Sequence, residues 1–302
     1  MTISINPLHP DFFAEIGNVD LRQPVDLTTL GDIVAAIDKY AVVVFHDQRL
    51  TDDQQIAFSA LLGPLETSRQ TLRPDFKPRL NTHMSDVSNL DHQNRLVDPE
   101  NRRWMQALAN RLWHTDSSFK RLQAKYSLLS AHAIPPRGGD TEFADMRAAY
   151  DALSTDMKKR IEGLVVEHSI FNSRATLGFT DFAEEERKGL PPVPHVLAWT
   201  HPGSKRKTLY LASHAARIYG MPVPEGRMLL HDLIEHATQP QFVHVHKWRL
   251  GDLVIWDDRC TMHRARDFDM TVPRDMRRTT VSDVAPTLVQ AGIDMPREAT
   301  AA

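Results

Sequence analysis

Cysteine is nearly missing from the chain: 302 residues carry one, Cys260. A lone thiol excludes an intrachain disulfide framework and fits a reducing, cytoplasmic setting. It also excludes the closed, thiolate-rich cages in which structural zinc is usually held. No run of about 18 apolar residues occurs, so no segment is expected to span a bilayer. The opening MTISINPLHPDFF lacks a basic stretch followed by an apolar one, which argues against a secretory signal. Charge of one sign is also scarce. Lys+Arg 36 against Asp+Glu 39 leave a net −3, without the basic field that nucleic-acid binding requires. Repeats, low-complexity tracts and long Gly/Ser linkers are absent, so residues 1–302 read as a single compact domain. Anionic ligands would have to be met by individual Arg or Lys side chains.

Short strands with interspersed helices fill this chain. TTLGDIVAAIDKY spaces Leu30, Ile33, Val34 and Ile37 at helical intervals, and the β-branched AVVVFHDQ after it reads as a buried strand. LTDDQQIAFSALLG is a second helix with Thr51 as N-cap and Gly63-Pro64 as its stop. AKYSLLSAHAI and TEFADM read as strands around a PPRGGD turn, and MRAAYDALSTDMKKRIEGL as one helix. Further on, HVLAWTHPGSKRKTLYLAS reads as a hairpin, EGRMLLHDLIEHATQ as a helix, FVHVHKWRLGDLVIWDD as two strands joined at Gly251, and RRTTVSDV as a closing strand. The pattern is mainly β with helical insertions, and points to a double-stranded β-helix, the cupin-like jelly roll. Two polar segments, 67–105 and 172–194, interrupt it. Long irregular segments in a compact domain are more often lids or binding loops than filler.

Within LWHTDSSF, His114 and Asp116 leave the same face of the chain if it is extended, with Thr115 pointing away. Imidazole and carboxylate suit one first-row metal ion. The spacing alone is weak evidence, since fifteen histidines also produce His9 and Asp11 in a proline-bounded turn. A third ligand is available at His263 in WDDRCTMHRARDF, after a β-rich run. Two histidines and one carboxylate leave the opposite face of the metal open, the facial triad of non-haem Fe(II) oxygenases. A zinc hydrolase would need a general base that no motif supplies. Arg274 and Arg278 share parity on the following strand, and their guanidinium forks could each meet a carboxylate; Arg277 should point elsewhere.

Together these motifs resemble the family of Fe(II)/2-oxoglutarate dioxygenases that includes taurine dioxygenase and 2,4-dichlorophenoxyacetate dioxygenase. The carriers are NPLHPDF with IGNVDLRQP, DQQIAFSALLGPLE, ANRLWHTDSSF, PPRGGDTEFADMRAAYDAL, THPGSKRKTLY, EGRMLLHDLIEHATQ and GDLVIWDDRCTMHRARDFD followed by RDMRRTT. They span nearly the whole chain and look most like the phenoxyacetate-cleaving members. The resemblance implies His114, Asp116 and His263 as iron ligands, and Thr141 and Arg274 around the far carboxylate of 2-oxoglutarate. Arg278 and Asn110 would contact substrate, and Trp256 would line the iron site. His201 and His214 fall in matching segments and are candidate substrate contacts. The implied cofactor is Fe(II), with 2-oxoglutarate and O2 as co-substrates, and the implied product chemistry is hydroxylation of a small anionic organic molecule. For an aryloxyacetate, hydroxylation at the ether CH2 gives a hemiacetal that collapses to a phenol and glyoxylate. Homo-oligomerisation is a further implication.

Plainer readings compete at several positions. His244 and His246 read as strand residues, His231 and His236 as solvated or packed helix residues, and Cys260 as a buried bystander. Arg73, Lys77, His83 and Arg95 are weak candidates for substrate contacts from the 67–105 segment. A sulfonate or sulfate-ester oxygenase of the same family is the nearest functional alternative, and a metal- or ligand-binding jelly roll without turnover is the alternative outside enzymes.

Overall fold

The computed structural model describes residues 2–68, 77–98, 100, 104 and 107–296. Among these, a seven-stranded sheet runs Ser4–Pro7, Ala14–Gly17, Val42–Phe45, Leu253–Asp257, Ala124–Ala133, Asp275–Ser282, Met84–Asp86. Its pairs are antiparallel except the second with the third. Strand alternation sorts the side chains onto two faces. Val43, Phe45, Leu128, Leu253 and Ile255 pack under two helices, Leu27–Tyr40 and Asp52–Leu61, through Ile33, Ile37 and Phe58. Both helices start where their caps dictate. Asp26 accepts from Thr29 N–H, and Thr51 forms a reciprocal capping box with Gln54.

Val42, Val44, Leu129, Val254, Trp256 and Met276 occupy the other face, where they meet Phe143 of a second sheet. That sheet is antiparallel throughout and runs Val243–His246, Thr141–Asp145, Thr261–Ala265. Its Ala144 and Met262 turn away from Phe143 toward a cluster with Leu229, Leu230 and Leu233 of helix Val223–Ala237. Among the described residues the protein is thus sheet-rich with helices: these two sheets lie face to face with helices outside both, beside two smaller sheets. Burying each of these large aliphatic side chains stabilises the fold by about 1.5–3 kcal/mol.

One local expectation fails. MRAAYDALSTDMKKRIEGL is two helices, Met146–Asp151 and Thr155–Ile161, because Ser154 caps the second by accepting from Met157 N–H. The two strands joined at Gly251 form as expected but in different sheets: Val243–His246 lies in the second and Leu253–Asp257 in the first. The 172–194 segment is not wholly irregular, since it holds most of helix Ile170–Ala175, helix Glu184–Gly189 and the start of strand Val193–Val196.

Candidate active site

His263 sits mid-strand in Thr261–Ala265, opposite Phe143, so it points between the sheets. His114 joins it by a single antiparallel bridge: His114 N–H donates to the His263 carbonyl at 3.0 Å and His263 N–H returns to the His114 carbonyl at 2.8 Å. The segment 113–117 is not a strand as expected. It leaves that bridge for a turn at Asp116, with Ser117 at φ 52°, and the turn carries the carboxylate back toward the two imidazoles. Asp116 Oδ1 lies 3.9 Å from His114 Nε2 and Oδ2 3.7 Å from His263 Nε2. One donor atom from each of the three lies within 4.8 Å of the others. This donor set fits a divalent first-row metal held on one face.

Each ligand is oriented by a neighbour, as metal ligands require. His114 Nδ1–H donates to the Leu112 carbonyl at 2.7 Å, which leaves Nε2 as its coordinating nitrogen. Thr115, turned away, places its hydroxyl 2.8 Å from the Leu211 carbonyl and 2.9 Å from that of Thr261. Ser127 Oγ donates to Asp116 Oδ2 at 3.0 Å, and Asp258 Oδ1 accepts from both Asp116 N–H and Trp256 Nε1, each at 3.0 Å. The Trp256 ring is fully buried, 4.7 Å from that of His263. Burial lowers the pKa of both ligand histidines, so they are neutral and ready to coordinate. Burial opposes ionisation of Asp116, yet Arg278, His263 and His114 together hold its carboxyl below the ordinary range. Asp258 goes the other way: burial and the adjacent Asp116 charge raise its pKa well above normal.

A pocket opens over this cluster, lined by His114, Asp116, Asn110, Phe119, His214 and Arg174 together with Arg274 and Arg278. Arg274 is 5% exposed and, among the described residues, has no carboxylate partner; its guanidinium donates to the carbonyls of Val87 and Gly139 at 3.3 and 3.4 Å and lies over the Phe268 ring, 5.2 Å from its centroid. Burial alone pulls its pKa down to about 10. A buried cation without a counter-ion calls for an anion from outside the chain. Arg278 shares that face and hydrogen-bonds Asp116, whereas Arg277 turns outward to Asp52 and Asp275, as their parity requires.

Other predicted residues lie elsewhere. His201 is absent from the pocket lining; its ring is buried and bonded on both nitrogens, to Asp257 at 2.9 Å and to Ser204. Asp257 is already paired with Arg259, so the nearby His201, Asp257 and Cys260 trio is a structural ion pair beside a buried thiol. The Cys260 pKa is raised well above normal by burial, which removes any catalytic thiol. Thr141 is buried one strand from the pocket residue Ala265 and accepts from Trp248 Nε1 at 3.0 Å. His83 reaches the pocket rim; Lys77 does not, and Arg95 pairs with Asp91 on the surface. Arg73 falls outside the described residues. His244 and His246 are strand residues, the latter bonded to Asp252. Asp258, Ser127, Arg174 and Phe119 went unrecognised in the sequence. The only sequence signal was the adjacency of Asp258 to Asp257 in the WDD triplet two residues before Cys260.

Comparison with known proteins agrees with this geometry. Residues 4–280 match the model of the taurine catabolism dioxygenase TauD, TfdA family. The chain is 46% identical over 288 residues to the alpha-ketoglutarate-dependent 2,4-dichlorophenoxyacetate dioxygenase of Cupriavidus pinatubonensis, covering 94% of this chain and 99% of that protein. It is 29% identical to an alpha-ketoglutarate-dependent sulfate ester dioxygenase of Pseudomonas putida, covering 95% and 91%. Among solved structures it is similar to AAD-2 in complex with Mn(II) and N-oxalylglycine, with TM-score 0.88, 50% identity and coverage of 95% and 99%. The chain belongs to the taurine catabolism dioxygenase TauD, TfdA family.

Proposed function

We propose that the protein is an Fe(II)- and 2-oxoglutarate-dependent dioxygenase that hydroxylates the ether CH2 of phenoxyacetates, releasing a phenol and glyoxylate with succinate and CO2. One observation carries it: a His–Asp–His donor face beside a buried arginine that, among the described residues, lacks an acid partner. His114, Asp116 and His263 would hold the iron, which with 2-oxoglutarate and O2 supplies the oxidising chemistry. Arg274 neutralises the far carboxylate of 2-oxoglutarate, with Thr141 as its proposed neighbour. Arg278, Asn110 and His214 orient the substrate, and Phe119 gives its aromatic ring an apolar wall. Trp256 and Phe143 seal the site from the core side. The proposal includes a double-stranded β-helix built from the two facing sheets, segments 67–105 and 172–194 as pocket inserts within a single domain 1–302, and a cytoplasmic homo-oligomer. Among the described residues no helix is long and apolar enough to cross a membrane.

Anaerobic titration of the Fe(II) protein with 2-oxoglutarate should produce a metal-to-ligand charge-transfer band. Subsequent exposure to O2 with 2,4-dichlorophenoxyacetate should yield phenol and succinate in equal amounts. The 29% likeness to a sulfate ester dioxygenase makes alkyl sulfates and taurine the decisive competitors. Turnover of these and not of phenoxyacetates would replace the substrate assignment, and no decarboxylation with any of them would remove the enzyme.

A further inference from the structure

Ser173 sits near the start of the 172–194 segment, buried on helix Ile170–Ala175, and three groups converge on its hydroxyl. Oγ is 2.9 Å from the Ile170 carbonyl, 3.0 Å from Arg174 Nη1 and 2.9 Å from His214 Nδ1. A serine hydroxyl has one proton and two lone pairs. The carbonyl can only accept and takes the proton; the guanidinium can only donate and takes one lone pair. The remaining lone pair faces His214 Nδ1, which must therefore carry hydrogen.

Nε2 is then the nitrogen turned away from Ser173. His214 and Arg174 both line the pocket, and the His214 ring lies 6.2 Å from that of His114 and 5.1 Å from Phe119. The same short helix grips the main chain around His214. Ser169 N–H donates to the His214 carbonyl at 2.8 Å, and Asn172 Nδ2 reaches the carbonyls of Ser213 and Ala215 at 3.4 and 3.2 Å. Ser213 N–H donates in turn to the Trp113 carbonyl at 2.9 Å, next to the metal ligand His114. Ring and main chain are thus registered to the metal-binding segment through one element, the rigidity that substrate orientation demands.

We infer that Ser173 is a positioning residue, fixing Arg174 to donate to the substrate's carboxylate and the His214 ring beside it, while Arg274 serves the co-substrate. The identity of that substrate rests on the proposed function. With phenoxyacetate, Ser173→Ala should raise the substrate KM roughly tenfold or more, the scale of one lost hydrogen bond to a charged group. Its kcat and its KM for 2-oxoglutarate should stay within about twofold, and Ser173→Thr, which keeps a hydroxyl, should restore the substrate KM. In the metal-free protein, ¹⁵N-histidine spectra assigned with His214→Asn should show a protonated Nδ1 that Ser173→Ala loses. An unchanged substrate KM, a parallel rise in the 2-oxoglutarate KM, or an unprotonated Nδ1 in the unsubstituted protein would each overturn the inference. If only alkyl sulfates are turned over, the function falls and the same KM comparison with those sulfates decides the role of Ser173. If nothing is turned over, the spectra decide it.

Discussion

Arg274 shows how one residue can trade stability for binding. Its guanidinium is buried, its pKa lowered to about 10 by burial alone, and its contacts are two carbonyls and the face of Phe268. A cation whose folded pKa is depressed disfavours folding while it stays charged, so removing the charge relieves the fold. Arg274→Met should accordingly leave the unfolding midpoint unchanged or higher. The same variant should weaken 2-oxoglutarate binding by about 2–5 kcal/mol, the scale of losing one side of a buried charge pair. Calorimetric unfolding and the anaerobic charge-transfer titration together check it. A fall in both quantities would show that Arg274 has a structural partner instead.

At the scale of elements, the turn between strands Ala124–Ala133 and Thr141–Asp145 packs against Arg274, the proposed co-substrate anchor. Gly139 has φ 80°, a left-handed conformation that glycine adopts at little cost. A Cβ there would stand 3.3 Å from Arg274 Nε and 3.2 Å from Pro135 Cγ. Gly139→Ala should therefore cost about 1 kcal/mol or more in stability. It should also raise the KM for 2-oxoglutarate more than the substrate KM, which steady-state kinetics with each varied in turn would reveal. PPRGGD was legible as a turn because glycine and proline act locally. The capped helix at Thr51 was legible for the same reason. The split at Ser154 was missed because apolar spacing continued across it while a serine hydroxyl ended the run. Sheet membership around Gly251 was hidden for a different reason: pairing is decided by residues far away along the chain. Likewise the His–Asp–His cluster could be read from residue type together with the family resemblance, and the opposite parity of Arg277 from spacing, but the engagement of His201 could not. Nothing in its own segment announces Asp257.

Across the whole molecule, buried ion pairs set the response to acid. Burial opposes ionisation of Asp257, but Arg259 and His201 beside it pull its pKa far below the ordinary carboxylate range. Asp275 is held down similarly by Arg79 and Arg277 against its own burial. A depressed folded pKa contributes stability in full above the unfolded carboxylate value near 4, and that contribution is lost as pH falls below it. The carboxylate contribution should therefore be flat from about pH 5 to 7 and drop steeply below about pH 4, on top of a loss that begins below about pH 6.5 from histidines that burial keeps neutral, His114, His195 and His263. Asp257→Asn should lose about 3–5 kcal/mol at neutral pH, because it strands Arg259 without a counter-charge, and should show a shallower acid drop. Urea unfolding at several pH values measures both.

The mutual main-chain bonds of His114 and His263 have a consequence for metal exchange. Peptide groups, not the ion, set the distance between the two imidazoles, so chelation with EDTA should leave far-ultraviolet circular dichroism intact. Ferrous, manganous or cobaltous ions added back should raise the melting temperature only as mass action on a ready-made cradle demands, growing with the logarithm of free metal. In such a frame the ion is a visitor, and iron's place would depend on supply within the cell more than on any need of the polypeptide to finish folding.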